Sequence, residues 1–370
     1  MHRAIIRFRI LMRQALPWRK PLYIMRLLYS AIRVYIFRSN LLRGTDFSIG
    51  YLCNLKCKHC FTTSLAWGRG RPTMSVEDYS RVSGESMRLG CIAFSIQGGE
   101  PLLYPELETI IKALRPRWNR IPIATNATLL TRERMLLLKR AGVDTINVSL
   151  DSGKPEEHDR FRGVPGTYYK AMRALEEALS MGFAVSINMT LPRTALYSDG
   201  FKKLLEFAHK KKIVINTLFA APAGNWMKSQ HFLMRPEDIA YYNKLREAYP
   251  FMMRDLDSNF GPRGCGAVHE MLYITCYGDV LACPFIHISL GNVLEEPLAI
   301  IRARGLSTYL FKRYHPKCWI AEEQEFIKAY VNLMSDKDRL PVRWDSPEGK
   351  TLLYDFRLGR HESPGAHDRH

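Results

Sequence analysis

Across residues 46–225, short apolar runs alternate with amphipathic stretches, and this alternation limits the chain to a narrow set of architectures. The strand-like runs cover 47–51, 91–96, 121–125, 145–150, 184–190 and 213–220. Helical spacing of apolar residues fills 76–89, 106–114, 132–141, 166–181 and 198–211 between them. Successive βα units build a parallel sheet covered by helices. Six such units predict a partial (β/α)6 barrel in an α/β fold rather than a closed barrel of eight. With 370 residues, 46% of them hydrophobic, the chain is long enough to bury that domain and a smaller module.

The eight cysteines are unevenly placed, three of them at 53, 57 and 60 and four between 265 and 318. The apolar stretches at the N-terminus are cut repeatedly by Arg, and no small-residue cleavage site follows them, so a secretory signal is not expected. In a reducing cytoplasm, clustered cysteines read as metal sites rather than disulfides. In Cys53-Asn-Leu-Lys-Cys57-Lys-His-Cys60, three thiolates can hold one iron–sulfur cube from a single loop. Four-iron clusters normally take four thiolates, so three leave one iron open to a ligand that is not protein. The alternative is structural zinc, for which His59 is the only local fourth ligand. Cys91 opens an apolar run and is expected in the core.

Further motifs fall at the ends of the later strand-like runs. They are Gly98-Gly99-Glu100-Pro101, Thr125-Asn126-Ala127-Thr128, Ser149-Leu150-Asp151 and, past the fourth run, His158-Asp159-Arg160-Phe161-Arg162-Gly163. Ligands of open α/β sheets sit at these carboxyl ends. Glycines allow close backbone approach, and a carboxylate offers a charge-assisted acceptor to an ammonium group. With the cysteine triad after the first run, the set resembles the radical S-adenosylmethionine (radical SAM) superfamily. The resemblance implies a SAM-binding 4Fe–4S cluster on Cys53, Cys57 and Cys60, the residues of its catalysis. It implies SAM contacts from Gly98, Gly99, Glu100, Pro101, Thr125, Asn126, Ser149, Asp151 and Arg162. Asn188 and Thr190 on the fifth run are further candidates for that cavity. Two positions depart from the usual pattern, Ala127 in place of glycine after Thr-Asn and Ser152 in place of glycine after Asp151.

Residues 261–304 change character, with Cys265, twelve residues, Gly278, four residues and Cys283-Pro-Phe, then Leu290-Gly291-Asn292. This spacing resembles the start of a SPASM domain or the shorter twitch extension, a small C-terminal β module that carries auxiliary iron–sulfur clusters. Only Cys318 follows, so one auxiliary cluster is expected, on Cys265, Cys283 and Cys318, with Cys276 as a candidate fourth ligand. The implied organisation is a helical basic lead at 1–45, a radical SAM core at 46–230, the extension at 231–335 and a loose, charged tail at 336–370.

Charge narrows the partners. Lys and Arg number 54 against 36 Asp and Glu, a net charge of +18, and residues 1–45 hold ten basic and no acidic side chains. Apolar positions 22, 25, 28, 29, 32, 35 and 36 follow helical spacing. Such a helix either lies on an anionic membrane or packs on the chain's own body. No recognisable nucleic-acid motif accompanies the charge, so no specific nucleic acid is expected. No uncharged apolar segment is long enough to span a bilayer, and the expectation is a cytoplasmic protein, peripheral on the membrane where that helix faces lipid rather than the chain's own body. The resemblance implies reductive cleavage of SAM, a 5′-deoxyadenosyl radical and hydrogen abstraction from an unidentified substrate: ribosomal peptide, small metabolite or membrane-associated lipid or glycan. The electron would come from a reductant such as flavodoxin or ferredoxin. The other class to weigh is a non-catalytic iron–sulfur or zinc module anchored at a membrane.

Overall fold

The structure is a computed structural model that describes residues 19–68, 70–258 and 264–359. Among the described residues the strands form one sheet of eleven, in the order β11-β10-β9-β8-β1-β2-β3-β4-β5-β6-β7. The six expected strands are β1 (Gly44–Ser48), β2 (Ala93–Gln97), β3 (Pro122–Thr125), β4 (Thr145–Ser149), β5 (Ala184–Leu191) and β6 (Val214–Phe219). All of them pair in parallel. Strand β1 ends three residues earlier than the apolar run suggests, because the chain leaves the sheet at Ile49 to make the cysteine loop.

Alternation along each strand divides the side chains between two faces. Phe47, Phe94, Ile96, Ile123, Ile146, Val148, Ile187, Met189 and Ile215 are almost wholly buried under the helices. Ser95, Gln97, Asn147, Ser149, Asn188, Thr190 and Asn216 occupy the other face and stay half-buried. That polar face lines the hollow of an open barrel. Helix α1 spans Pro21–Tyr35, and helices α2 (Val76–Arg88), α3 (Leu107–Ala113), α4 (Arg132–Ala141), α5 (Pro155–Arg162), α6 (Thr167–Ser180) and α7 (Asp199–Lys211) follow. Capping fixes several starts: Ser75 and Asp78 form a capping box at α2, and Thr131 and Ser198 cap α4 and α7.

The parallel run continues past residue 230. Helix α8 (Pro236–Ala248) leads to β7 (Met252–Arg254), which pairs in parallel with β6. At the other edge β8 (Met271–Ile274) pairs in parallel with β1, and β9 (Asp279–Leu281) and β10 (Ile288–Asn292) continue as antiparallel neighbours. The C-terminal module is therefore an extension of the same sheet. Helices α9 (Leu298–Ser307) and α10 (Gln324–Met334) complete it.

The tail expected to be loose from residue 336 is folded as far as the description reaches, at residue 359. Strand β11 (Val342–Arg343) pairs with β10, and Leu340, Leu352 and Leu353 are buried. A few apolar anchors spaced among charges hold it, and average composition hides them. Residues 360–370 of that expectation, and residues 1–18 of the lead, lie outside the described residues.

Helix α1 both packs on the body and presents apolar side chains outward. Tyr23 and Val34 are buried, Lys20 Nζ bonds Asp144 at 2.6 Å, and Arg26 donates to the carbonyl of Cys91 at 2.7 Å. Met25, Leu28, Tyr29, Ile32, Tyr35, Ile36 and Phe37 are exposed, the last two by 70%. Cys91 itself is fully buried, as its apolar setting predicts.

Candidate functional site

The loop after β1 is held against the end of β2 by main-chain bonds. Gly99 N donates to Gly50 O and Glu100 N to Leu52 O, both at 2.8 Å. A Cβ on Gly98 would stand 2.3 Å from Gly50 O and one on Gly99 2.1 Å from Leu52 O, so only glycine permits this approach. The Gly-Gly pair thus seats the cysteine loop itself. Tyr104 Oη accepts from Leu52 N at 2.7 Å and closes the same contact.

Cys53, Cys57 and Cys60 are free thiols, exposed, buried and half-buried in turn. Leu55 N donates to Cys53 Sγ at 3.4 Å, and Thr62 Oγ1 lies 3.1 Å from Cys60 Sγ. Burial pushes the Cys53 thiol up to about 11 and raises Cys57 as well, while Arg162 works against the latter rise. Among the described residues no three His, Cys, Asp or Glu side chains converge as around a single metal ion. A cube takes one thiolate at each iron, so three separated thiols on one loop suit its corners and leave one iron without a protein thiolate. His59, the zinc alternative's fourth ligand, is stacked on Phe161 at 4.5 Å, with Nδ1 buried and unpartnered.

Glu100 is fully buried, and its carboxylate gathers the end of β3. Oε1 accepts from Leu102 N at 3.1 Å and Thr125 Oγ1 at 2.7 Å, and Oε2 accepts from Asn126 N at 2.8 Å. Burial raises its pKa, and the three donors oppose that rise. Pro101 opens the turn that carries Leu102. Asn126 Nδ2 donates to Asn54 Oδ1 at 2.9 Å and lies 4.0 Å from Cys53 Sγ, joining β3 to the cysteine loop. Ala127 sits at φ 61°, the left-handed region where glycine is usual, and its N–H is held by Thr125 Oγ1 at 2.9 Å.

Asp151 and Arg162 form a buried pair. Arg162 Nε donates to Asp151 Oδ2 at 2.6 Å, and Nη1 reaches 3.7 Å from Cys57 Sγ. Burial disfavours the charge on Asp151, but Arg162 and the nearby His59 and His158 rings hold its carboxyl below the ordinary value. Burial likewise opposes the Arg162 charge, and Asp151 and Cys57 outweigh it. Thr190 N donates to Asp151 Oδ1 at 3.3 Å. Asn188 Oδ1 instead accepts from Asn216 Nδ2 at 3.1 Å, in a polar row across the barrel's inner face. Ser149 lies beside Asn188 on that face.

Sequence reasoning missed Asn225, which follows Gly224 past β6. Its Nδ2 donates to Cys57 O at 3.0 Å and its N–H to Cys60 O at 3.1 Å, so it braces the loop from across the barrel. The Gly-Asn dipeptide marks a turn but not this partner.

In the C-terminal module Cys265, Cys283 and Cys318 are electrostatic neighbours of one another. Burial pushes the Cys265 thiol up to about 11 and the Cys283 thiol up to about 12, against the opposing effect of nearby backbone at Ala267 and at Phe285 and Ile286. Cys276 lies in the turn between β8 and β9, buried, with Arg71 and Asp279 as its charged neighbours and its carbonyl accepting from Met74 N at 2.8 Å. The two thiol groups share packing: Phe61 meets Phe285 at 5.3 Å, and His287 bonds Ser64 Oγ at 3.2 Å and Pro284 O at 3.0 Å.

A sequence profile described as Radical SAM superfamily matches residues 47–208. The AdoMet-dependent heme synthase of Methanosarcina barkeri is 26% identical over 278 residues, 66% of this chain and 77% of that protein. The antilisterial bacteriocin subtilosin biosynthesis protein AlbA of Bacillus subtilis is 26% identical over 288 residues, 73% of this chain and 62% of AlbA. The crystal structure of Streptococcus suis SuiB bound to precursor peptide SuiA superposes with a TM-score of 0.59 and 17% identity, covering 84% of this chain and 77% of SuiB. That likeness extends through the C-terminal module. Residues 47–208 thus match the radical SAM superfamily, whose enzymes use a 4Fe–4S cluster and S-adenosylmethionine, and the likeness to SuiB gives the fold of the barrel and of the C-terminal module that follows it.

Proposed function

We propose that Cys53, Cys57 and Cys60 hold the SAM-binding cluster, that Cys265, Cys283 and Cys318 hold one auxiliary cluster, and that the substrate is met at an anionic membrane surface. When bound, the first cluster and SAM supply the radical that abstracts hydrogen from the substrate. The chain's own residues position and shield. The Glu100–Thr125–Asn126 network fixes the rim beside Cys53, and Arg162, held by Asp151, sets a positive charge at Cys57. The polar inner face, with Ser149, Asn188 and Thr190, offers hydrogen-bonding groups to a ligand inside the barrel. The observation that carries the reading is the gathering of free thiols, buried carboxylates and Arg162 at the carboxyl ends of β1–β5.

The membrane part rests on α1. Arg26 of the helix and Lys20 just before it turn inward to protein partners, while its exposed face is apolar and is joined by Arg33, set over the Tyr29 ring. No helix among the described residues is long and apolar enough to cross a membrane, so contact would be peripheral. Electron paramagnetic resonance of a Cys265→Ala/Cys283→Ala/Cys318→Ala variant, reduced with dithionite, tests the cluster assignment. Addition of SAM should change the remaining signal, and a signal indifferent to SAM would refute it.

A further inference from the structure

The amino ends of the strands, at the far end of the barrel from the cysteine loop, hold a basic cleft that the radical chemistry does not use. It has a volume of about 740 Å³ and opens between the start of α1, the turn before β3, the end of α4 and the turn between α6 and β5. Five of its side chains are cationic, those of Arg19, Lys20, Arg117, Lys139 and Arg140, and Asp144 is the one carboxylate among the described lining residues. Two of the cations are engaged. Lys20 Nζ meets Asp144 at 2.6 Å and donates to Gly142 O at 2.9 Å. Lys139 Nζ donates to Met181 O and stands 5.4 Å from the centre of the Phe183 ring. Cations bound to carbonyls in this way complement the ends of α4 and α6 and call for no ligand. Arg19, Arg117 and Arg140 differ, being exposed and making no ion pair or side-chain hydrogen bond among the described residues. Three guanidinium groups around one cleft repel one another. An anion with several acceptor oxygens relieves that repulsion and accepts paired N–H bonds, as phosphate does.

What borders the cleft decides the occupant. Pro21 and Leu22 of α1 line it, and over the following turns the same helix exposes Met25, Leu28, Tyr29 and Ile32. A basic cleft that runs onto an apolar ridge fits a molecule with an anionic head and an apolar body. Its volume falls within the range of small-molecule sites, about 300–1,000 Å³. Resting on the membrane contact read above, we propose that this cleft binds the phosphate of an anionic phospholipid. Arg19, Arg117 and Arg140 take its oxygens, and the ridge of α1 lies against the acyl region. Because the cleft and the cysteine loop are at opposite ends of the barrel, the lipid held here anchors the chain and is not the group that reacts.

The test is flotation of the full-length chain with phosphatidylcholine vesicles that contain phosphatidic acid. The parent is compared with an Arg19→Gln/Arg117→Gln/Arg140→Gln variant and with Lys170→Gln/Lys202→Gln/Lys244→Gln, which removes as much charge from the exposed surfaces of α6, α7 and α8. Circular dichroism verifies folding. Parent and lysine variant should float alike, and the arginine variant should partition on the order of 100-fold less. A parent that does not float would refute the membrane contact itself. Flotation of the arginine variant equal to that of the parent would leave that contact standing and overturn the cleft as its headgroup site. Equal losses in both variants would assign binding to net charge and overturn it too. Glycerol 3-phosphate is titrated calorimetrically into the parent without vesicles. Its binding, lost in the arginine variant while flotation is not, would make the occupant a soluble phosphate and overturn the lipid.

Discussion

The guanidinium of Arg162 stands between two partners, donating to Asp151 Oδ2 at 2.6 Å and reaching Cys57 Sγ at 3.7 Å. Both charged side chains are buried, so neither can lose the other cheaply. Arg162→Gln leaves Asp151 uncompensated and should cost about 3–5 kcal/mol of stability. Arg162→Gln with Asp151→Asn should recover part of that loss. Urea unfolding of both singles and the double gives the coupling, and additive losses would mean that the pair is not an energetic unit.

Glu100 is the acceptor for three donors from two chain segments. Glu100→Gln replaces one carboxylate oxygen with an NH2 group facing a donor and should cost about 1–3 kcal/mol. The rim at Asn126 should loosen with it, weakening SAM binding measured by equilibrium dialysis. Unchanged affinity would mean that the network supports the fold alone.

Ala127 takes a backbone conformation at φ 61° that costs a non-glycine residue about 1 kcal/mol. Ala127→Gly removes that cost while increasing the freedom of the unfolded chain. The variant should therefore be as stable as the parent, or up to about 1 kcal/mol more stable, by thermal and urea unfolding. A loss above 1 kcal/mol would show that the methyl group, which is 2% exposed, packs usefully.

How far the sequence foretold this molecule follows from what each signal measures. The predicted helix at 132–141 coincides with α4, because Thr131 caps its start and Gly142 ends it in a left-handed turn. The triad and the motifs at strand ends were legible since their chemistry is local. Less legible was how the motifs answer one another: Gly98 and Gly99 seat the cysteine loop, and Asp151 turns to Arg162. The seventh parallel strand was hidden in the three residues of β7, too short for a periodic signal. The same brevity concealed the folded part of the tail.

Asp46 lies on the inner face of β1, where burial pushes its carboxyl up to about 7 against the opposing effects of Arg43 and Gln97. The folded state then keeps a proton that the unfolded chain releases near its ordinary value, so stability should fall as pH rises from about 4 to 7 and level off above. Asp46→Asn should flatten that part of the profile. Urea midpoints at pH 5 and pH 8 for both proteins measure it, and equal slopes would show that Asp46 titrates normally.

Leu28 and Ile32 sit on the exposed face of α1, one turn apart. Leu28→Glu with Ile32→Glu should abolish flotation with liposomes containing anionic phospholipid, without loss of folding, because neither side chain packs in the core. Equal flotation of the variant would remove α1 from the membrane contact.

The account's central claim is that the thiols of the β1 loop carry the SAM chemistry. The most direct measurement is 5′-deoxyadenosine formed by anaerobically reconstituted protein with dithionite and SAM, compared with the Cys57→Ala variant under the same conditions. The account predicts deoxyadenosine from the parent chain and none above background from Cys57→Ala. Equal amounts from both, or none from a fully loaded parent, would contradict it.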